Sequence, residues 1–373
     1  MEFEELLKYT CLFDINAIDL DRYAVFMLDI KVAPKLIVLE DPKEYDKYKI
    51  NGKFKNSSNI ICSAWYSIDK FKKLFKENNI KYLVINAHRI PDVHIIIAAK
   101  SLNIKVLYLQ HGMYIPFMKR VPSLFIKKFF KSLRYLYYAY NSARYLNDFS
   151  FSKKLFQIHM MGKKRDIIKN YDIFPDRAGV FSNYWKKWHK KYYLFKDDSM
   201  FIMGTPDFRK YKFTKPLPNN YIAYCYQVLL EYGRITKNKM FEFYENLYKW
   251  ANQNNYKIIV KVHPVADKKI LKELKNKFNF ILEYNNIPNT EVVIGHYSSL
   301  LPFWGINNRK VICVELEGHD IHESIAEWAY VTDNICKVDI NKIQVDSKKC
   351  RYFFENNIPV EKLREMLFDI KEK

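Results

Sequence analysis

Residues 82–112 read YLVINAHRIPDVHIIIAAKSLNIKVLYLQHG, and the stretch contains a complete strand–helix–strand unit. Tyr82–Asn86 and Lys105–Leu109 are short runs rich in β-branched and aromatic residues, the signature of buried strands. Between them, Pro91–Leu102 opens on a proline near a helix start and is apolar on one face. Two strands joined through a helix pair parallel, with a right-handed crossover. Working toward the N-terminus, Lys35–Leu39 and Asn59–Ser63 read as further strands. Ser67–Glu77 reads as a helix, with Ile68, Phe71, Leu74 and Phe75 at helical spacing. The first half is therefore expected to form a Rossmann-like α/β domain.

The second half repeats the theme. Tyr221–Cys225, Lys257–Val262, Phe280–Leu282, Glu291–Ile294 and Lys310–Glu315 read as strands, and Met240–Asn252, Lys268–Lys277 and Ser298–Gly305 as helices. Proline and polar residues concentrate from Gly204-Thr-Pro-Asp207 to Lys215-Pro-Leu-Pro218, after a strand at Met200–Met203, which places a join near 207–218. The expected organisation is an N-terminal Rossmann-like domain over 1–210 and a C-terminal Rossmann-like domain over 211–345. A helical tail, 346–373, with a closing helix at Val360–Lys373, completes it. Two such domains would face a central cleft with their strand ends, where open α/β sheets bind ligands.

Composition narrows the classes further. The chain has 373 residues, 49% hydrophobic and 17% aromatic, enough apolar material for two cores. Nine glycines occur, against roughly 26 at average usage, and none are spaced as a dinucleotide fingerprint or P-loop. A net charge of +21 favours an anionic partner. The six cysteines are scattered without a C-x-x-C pair, which fits a reducing compartment. The N-terminus lacks a secretory pattern and no run of about 18 apolar residues occurs, so the expected location is cytoplasmic.

The polar residues that stand out lie just after strands. In Leu107-Tyr-Leu-Gln-His-Gly112, Gln110 and His111 follow a strand and precede a turn-forming glycine. A neutral imidazole there suits a general base, and equally a residue that satisfies a loop carbonyl. In Val260-Lys-Val-His-Pro264, strand alternation directs Lys261 and His263 to one side, and Pro264 ends the ladder. Two cationic donors there suit a departing phosphate. Glu291-Val-Val-Ile-Gly-His-Tyr-Ser-Ser-Leu300 places His296, Ser298 and Ser299 at a turn into a helix, either an anion site or simple capping. Glu315 ends the next strand, where a carboxylate can bind a ribose. Gln227, Glu231 and Arg234 lie in the loop after Tyr221–Cys225 and could reach donor or acceptor. Glu317 follows close behind Glu315 as a second carboxylate at that strand end, and His319, His322 and Glu323 lack the spacing of a helical metal pair, so no metal is expected.

Lys119–Arg144 carries seven basic residues and no acid, interleaved with aromatics. That composition is shared by interfacial segments on anionic membranes, by single-strand nucleic-acid platforms and by ordinary amphipathic helices.

Taken together, strand–Gln-His-Gly, strand–Gly-Thr-Pro-Asp, Lys-x-His-Pro and Gly-x-x-Ser-Ser, in that order over roughly residues 80–320, resemble the GT-B-fold transferases that build bacterial surface polymers. The motifs are most similar to those of bacterial sialyl- and polysialyltransferases and CDP-glycerol glycerophosphotransferases. The resemblance implies a metal-independent glycosyltransferase without a cofactor, moving a sugar from a CMP- or CDP-linked donor to a glycan or lipid-linked acceptor. It makes 1–210 the acceptor domain and 211–345 the nucleotide-donor domain, and gives His111 the acceptor-activating role, His263 and its neighbour the donor phosphate, and Ser298 and Ser299 the phosphate or nucleotide. Two departures stand out: the acidic base motif of the sialyltransferases has no match in the first domain, and His296 stands where the glycerophosphotransferases often have aspartate. The expected setting is the cytoplasmic face of the cell membrane, bound peripherally. Transfer of a polyol phosphate is the alternative within enzymes. A basic nucleic-acid-binding protein is the alternative outside them, although no recognisable DNA- or RNA-reading motif is present and nucleic acid is not the expected partner.

Overall fold

The computed structural model describes residues 2–17, 20, 28–56, 59–113, 129–161, 165–205, 207–316, 320–354 and 358–369. Its described strands pair parallel throughout, as helical crossovers demand. The chain forms two compact units, one from residues up to 112, 129–205 and 358–369, the other from 207–354. The fold class is α/β, two Rossmann-like units of the GT-B type.

The first unit holds a seven-stranded sheet in the order β3-β2-β1-β4-β5-β6-β7. Its strands are β1 (Thr10–Asp14), β2 (Leu36–Leu39), β3 (Asn59–Cys62), β4 (Tyr82–Ile85), β5 (Lys105–Leu109), β6 (Arg177–Val180) and β7 (Met200–Ile202). The helices here are α1 (Phe3–Leu7), α2 (Pro42–Asn51), α3 (Ile68–Glu77), α4 (Ile90–Lys100), α5 (Phe129–Tyr145), α6 (Ser150–Met161) and α7 (Asn183–Tyr192). Helix α3 is amphipathic, as its spacing predicts: Ser67 caps it by accepting the Lys70 N–H at 3.2 Å, and Ile68, Phe71, Leu74 and Phe75 are buried. Helix α4 is instead buried along Ile90–Ala99.

The second unit holds β9 (Tyr221–Cys225), β10 (Lys257–Lys261), β11 (Ile281–Glu283), β13 (Val292–Gly295), β14 (Lys310–Val314) and β15 (Tyr330–Thr332), in the order β11-β10-β9-β13-β14-β15. A separate pair joins β8 (Phe213–Pro216) to β12 (Ile287–Asn289). Its helices are α8 (Asp207–Lys210), α9 (Lys237–Gln253), α10 (Lys268–Phe278), α11 (Pro302–Gly305), α12 (Glu323–Ala326) and α13 (Ser347–Phe353). Trp250 and Trp304 are fully buried, and each indole N–H finds a carbonyl, Val338 O at 3.0 Å and Pro288 O at 3.2 Å.

The closing helix, α14 (Val360–Phe368), belongs to the first unit. Arg177 Nε donates to Met366 O at 3.0 Å, Arg364 Nε donates to Leu28 O at 2.8 Å, and Phe368 meets the rings of Phe3 and Tyr82 edge-on.

Two expectations about local structure change. The helix expected over Ser298–Gly305 spans only Pro302–Gly305, because Ser298 turns its hydroxyl onto Leu300 N–H at 3.2 Å and holds a turn there. The segment 207–218, where the join is expected, also contains α8 and β8, since β12 offers β8 a partner more than 70 residues away in the chain.

Candidate active site

Loops of a parallel sheet converge at the carboxyl ends of its strands, above all where strand order reverses. The reversal lies between β1 and β4 in the first unit and between β9 and β13 in the second.

In the second unit Gln227 spans the reversal. Its Oε1 accepts the backbone N–H groups of His296 at 3.2 Å and Tyr297 at 2.8 Å, pinning the turn after β13 to the loop after β9. Arg234 donates to Tyr297 Oη at 3.0 Å and fastens the same turn from the other side. His296 is buried, its Nδ1 2.8 Å from Val314 O and its Nε2 3.2 Å from Tyr224 Oη. Its ring thus ties β13 to β9 and β14. Gly295 lies so close to Leu301 that an added Cβ would meet Leu301 Cδ2 at 2.9 Å. Ser298 and Ser299 are half-exposed, and the Ser299 hydroxyl donates to Asp207 Oδ2 at 3.4 Å. Helix α11 has four residues, too few aligned peptides for a useful macrodipole. An anion at this turn would therefore rest on the hydroxyls and local N–H groups.

Lys261 and His263 separate. Lys261 is buried, its Nζ donating to Tyr284 O at 2.6 Å and lying 5.2 Å from the Tyr211 ring centroid; desolvation lowers its pKa. His263 and Pro264 are exposed, and His263 Nδ1 accepts the Val265 N–H at 3.3 Å. The expected common direction fails because β10 ends at Lys261, and the pleat that would align alternate side chains ends with it. Glu231 braces the loop that carries His263: its Oε1 accepts the Tyr226 hydroxyl at 2.8 Å and the Asp267 N–H at 3.0 Å. Glu315 is half-buried and accepts the Ile321 N–H at 3.3 Å. His322 caps α12 through the Ser324 N–H at 3.1 Å. Burial pushes the Cys225 thiol up to about 11, which keeps it protonated and non-nucleophilic near neutrality.

In the first unit Gln110 plays the bracing part. It is buried; its Oε1 accepts the Phe181 N–H at 2.8 Å, and its Nε2 donates to Gly112 O at 3.1 Å. His111 is half-exposed between this clamp and Gly112, whose φ of +57° makes the turn. The reversal point carries a group that sequence reasoning missed. Asp14, at the end of β1, accepts from Arg89 at 3.1 Å and from Asn86, and Asp92 accepts the Arg89 Nε–H at 2.7 Å. Its signal was available in the polar run Asn86–Arg89 after β4, but Asp14 becomes visible only once β1 is known to be the central strand.

Among the described residues no group of three or more His, Cys, Asp or Glu is arranged to hold a metal, and no helix is long and apolar enough to cross a membrane. Glu317, His319 and residues 119–128 of the basic–aromatic segment lie outside the described residues.

The architecture belongs to the class of paired Rossmann-like units, and solved structures of known enzymes share it. A variant of the wall teichoic acid polymerase TagF is similar over 98% of this chain and 90% of its own, with TM-score 0.51 and 12% identity. TagF soaked with CDPG is similar over 99% and 93%, with TM-score 0.50 and 11% identity. A UDP-N-acetylglucosamine 2-epimerase is similar over 98% and 97%, with TM-score 0.50 and 11% identity. No protein-family model and no curated protein matches the chain. At these identities the likeness is one of fold.

Proposed function

We propose that this protein is a glycosyltransferase of bacterial capsule or lipopolysaccharide-type synthesis that moves a sugar from a CMP- or CDP-linked donor to a glycan or lipid-linked acceptor. The observation that carries the reading is a histidine two residues past the end of a parallel strand in each unit, His111 after β5 and His263 after β10. The chain also shares its fold end to end with enzymes named for a UDP-sugar and for wall teichoic acid.

In this reading the first unit serves the acceptor and the second the donor. His111 takes the proton from an acceptor hydroxyl, and that oxygen forms a bond to the anomeric carbon. The bond from that carbon to the donor phosphate oxygen breaks, and the nucleotide leaves with the electron pair. His263 meets the growing negative charge on the phosphate. Lys261 adds a buried positive charge two residues away. Ser298 and Ser299 bind the phosphate, His296 and Pro264 shape the two turns, and Glu315 takes the ribose. Gln110, Gln227, Glu231 and Arg234 hold the loops that carry these groups. The protein works at the cytoplasmic face of an anionic membrane; on α5, the exposed Leu136 and Tyr140 support a peripheral contact there.

The solved TagF complex with CDPG supports a second reading, transfer of a polyol phosphate. Product mass separates the two when purified protein is given CMP- and CDP-linked donors with a lipid-linked acceptor. A product heavier by a sugar is expected, with His263→Ala lowering turnover about 100-fold or more. A product heavier by a polyol phosphate selects the second reading. Turnover within a few-fold of wild type in His263→Ala removes the phosphate role.

A further inference from the structure

The chain turns sharply after β3. Tyr66 N–H closes a four-residue turn onto Ser63 O at 3.0 Å, with Trp65 third and at φ +64°. A positive φ at the third position is the type II pattern, which glycine or asparagine normally fills. A bulky side chain with φ above zero is an outlier, and such outliers gather at functional sites. This one is held from behind. Trp65 N–H donates to Tyr138 Oη at 3.0 Å, and the Tyr138 hydroxyl reaches Glu40 Oε1 and Ser63 O, each at 3.3 Å. Arg134 donates to Glu40 at 2.6 Å and to Asp41 at 3.2 Å. The Trp65 ring stands edge-on to Tyr137 with centroids 5.5 Å apart. The result is a tryptophan pinned through its backbone and bordered by the Tyr137 ring, yet 48% exposed.

An exposed indole whose backbone is tied into a network of charged hydrogen-bonding groups has a matching ligand. A sugar ring presents C–H bonds on one face, which the negative face of a π-system attracts, and hydroxyls around its rim, which carboxylate and guanidinium bind in the plane. Asp41 is partly exposed, with 22% of its side chain open, and its oxygens, which accept the Lys43 N–H at 3.0 Å and Arg134 at 3.2 Å, keep further lone pairs for such bonds, while the buried Arg134 orients it. Glu40 Oε2 is buried without a protein partner, which leaves one acceptor of the network unfilled. All of these groups lie at the carboxyl ends of β2 and β3 or on the helix packed over them, within the first unit.

We propose that Trp65, with Asp41 and Arg134 linked to it through Tyr138 and Glu40, is a carbohydrate-binding subsite that stacks one residue of a glycan on its indole. The inference rests on the transferase reading only for naming that glycan the acceptor. An anionic bilayer is the competing occupant of an exposed tryptophan, but the ion-paired, hydrogen-bonded groups linked to Trp65 through Tyr138 suit a polyhydroxylated ligand better than acyl chains.

The test applies wild-type protein, Trp65→Ala, Trp65→Phe and Trp65→Gly to a microarray of immobilised neutral and acidic oligosaccharides. The same proteins are floated with vesicles of phosphatidylglycerol and phosphatidylcholine in equal parts. Wild type is expected to bind at least one glycan class, Trp65→Ala and Trp65→Gly to lose about tenfold or more of that binding, and Trp65→Phe to keep most of it. Flotation should be unchanged in all three variants. Trp65→Gly should melt no lower than wild type, which separates lost binding from lost fold. Failure of the wild type to bind any glycan, or full binding by Trp65→Ala, overturns the subsite, as does a flotation defect in place of a glycan defect. Melting curves with CMP and CDP run on the same variants keep the two readings apart. A nucleotide response that survives loss of glycan binding leaves the donor site standing, and a wild type that binds glycan but no nucleotide removes the transferase while keeping the subsite.

Discussion

Gln110 and Gln227 stand at corresponding places, each just past the end of a strand, and each directs an amide oxygen at the backbone of a neighbouring strand end. A glutamine suits this work because it accepts without bringing a charge into a buried loop. Gln227 serves two N–H groups at once, so Gln227→Ala leaves both without their acceptor. We expect it to cost about 2 kcal/mol in urea unfolding, with Gln227→Glu, which keeps an accepting oxygen, losing less. Stability within a few tenths of wild type in Gln227→Ala would show that the turn after β13 does not depend on it. The sequence marked both glutamines as loop residues near a ligand. It could not show that they bind backbone instead, because the partners Phe181, His296 and Tyr297 lie about 70 positions away. His296 was misleading for a related reason: a histidine after a strand looks alike whether its ring meets a phosphate or, as here, Val314 O and Tyr224 Oη.

Among the elements, β4, α4 and β5 were legible because local pattern and burial agree: long apolar runs, a proline at the helix start, few competing polar residues. Strand β1 was not, since Thr10-Cys-Leu-Phe-Asp14 is polar at both ends, although all five residues are buried. Its neighbours β2 and β4 make it a strand. The helices that cover this sheet carry a further property. His94 on α4 and His189 on α7 are buried with pKa values lowered to about 4, and His88, just before α4, to about 3, in each case mainly by desolvation. These folded values lie below the unfolded value of about 6.5. The stability that comes from burying neutral rings is therefore complete above about pH 6.5 and drains as the pH falls toward 4, at about 1.4 kcal/mol per pH unit for each histidine. Between pH 7 and pH 5 the three together remove about 5 kcal/mol, comparable to the whole stability of many domains. Melting temperature should fall steeply over that interval. A flat profile from pH 7 to pH 5 would mean that these rings accept protons in place.

At the scale of the molecule, alternation of strands and helices was enough to read two Rossmann-like units, because each half carries its own run of crossovers. The return of α14 to the first unit was less visible, since Arg177 and Arg364 fasten it through contacts 189 and 336 positions apart in the chain. Charge and composition could name an anionic partner without choosing one. A nucleotide-binding measurement makes that choice. Melting curves should be recorded with CMP, CDP, UDP, GDP and ADP in turn, since a ligand at about 100 times its Kd adds about 2.7 kcal/mol to the folded state. The account predicts a rise of several degrees with CMP or CDP and a smaller one, or none, with the purine nucleotides. No shift with any of the five, alongside binding to single-stranded oligonucleotides that collapses as salt rises, would contradict it.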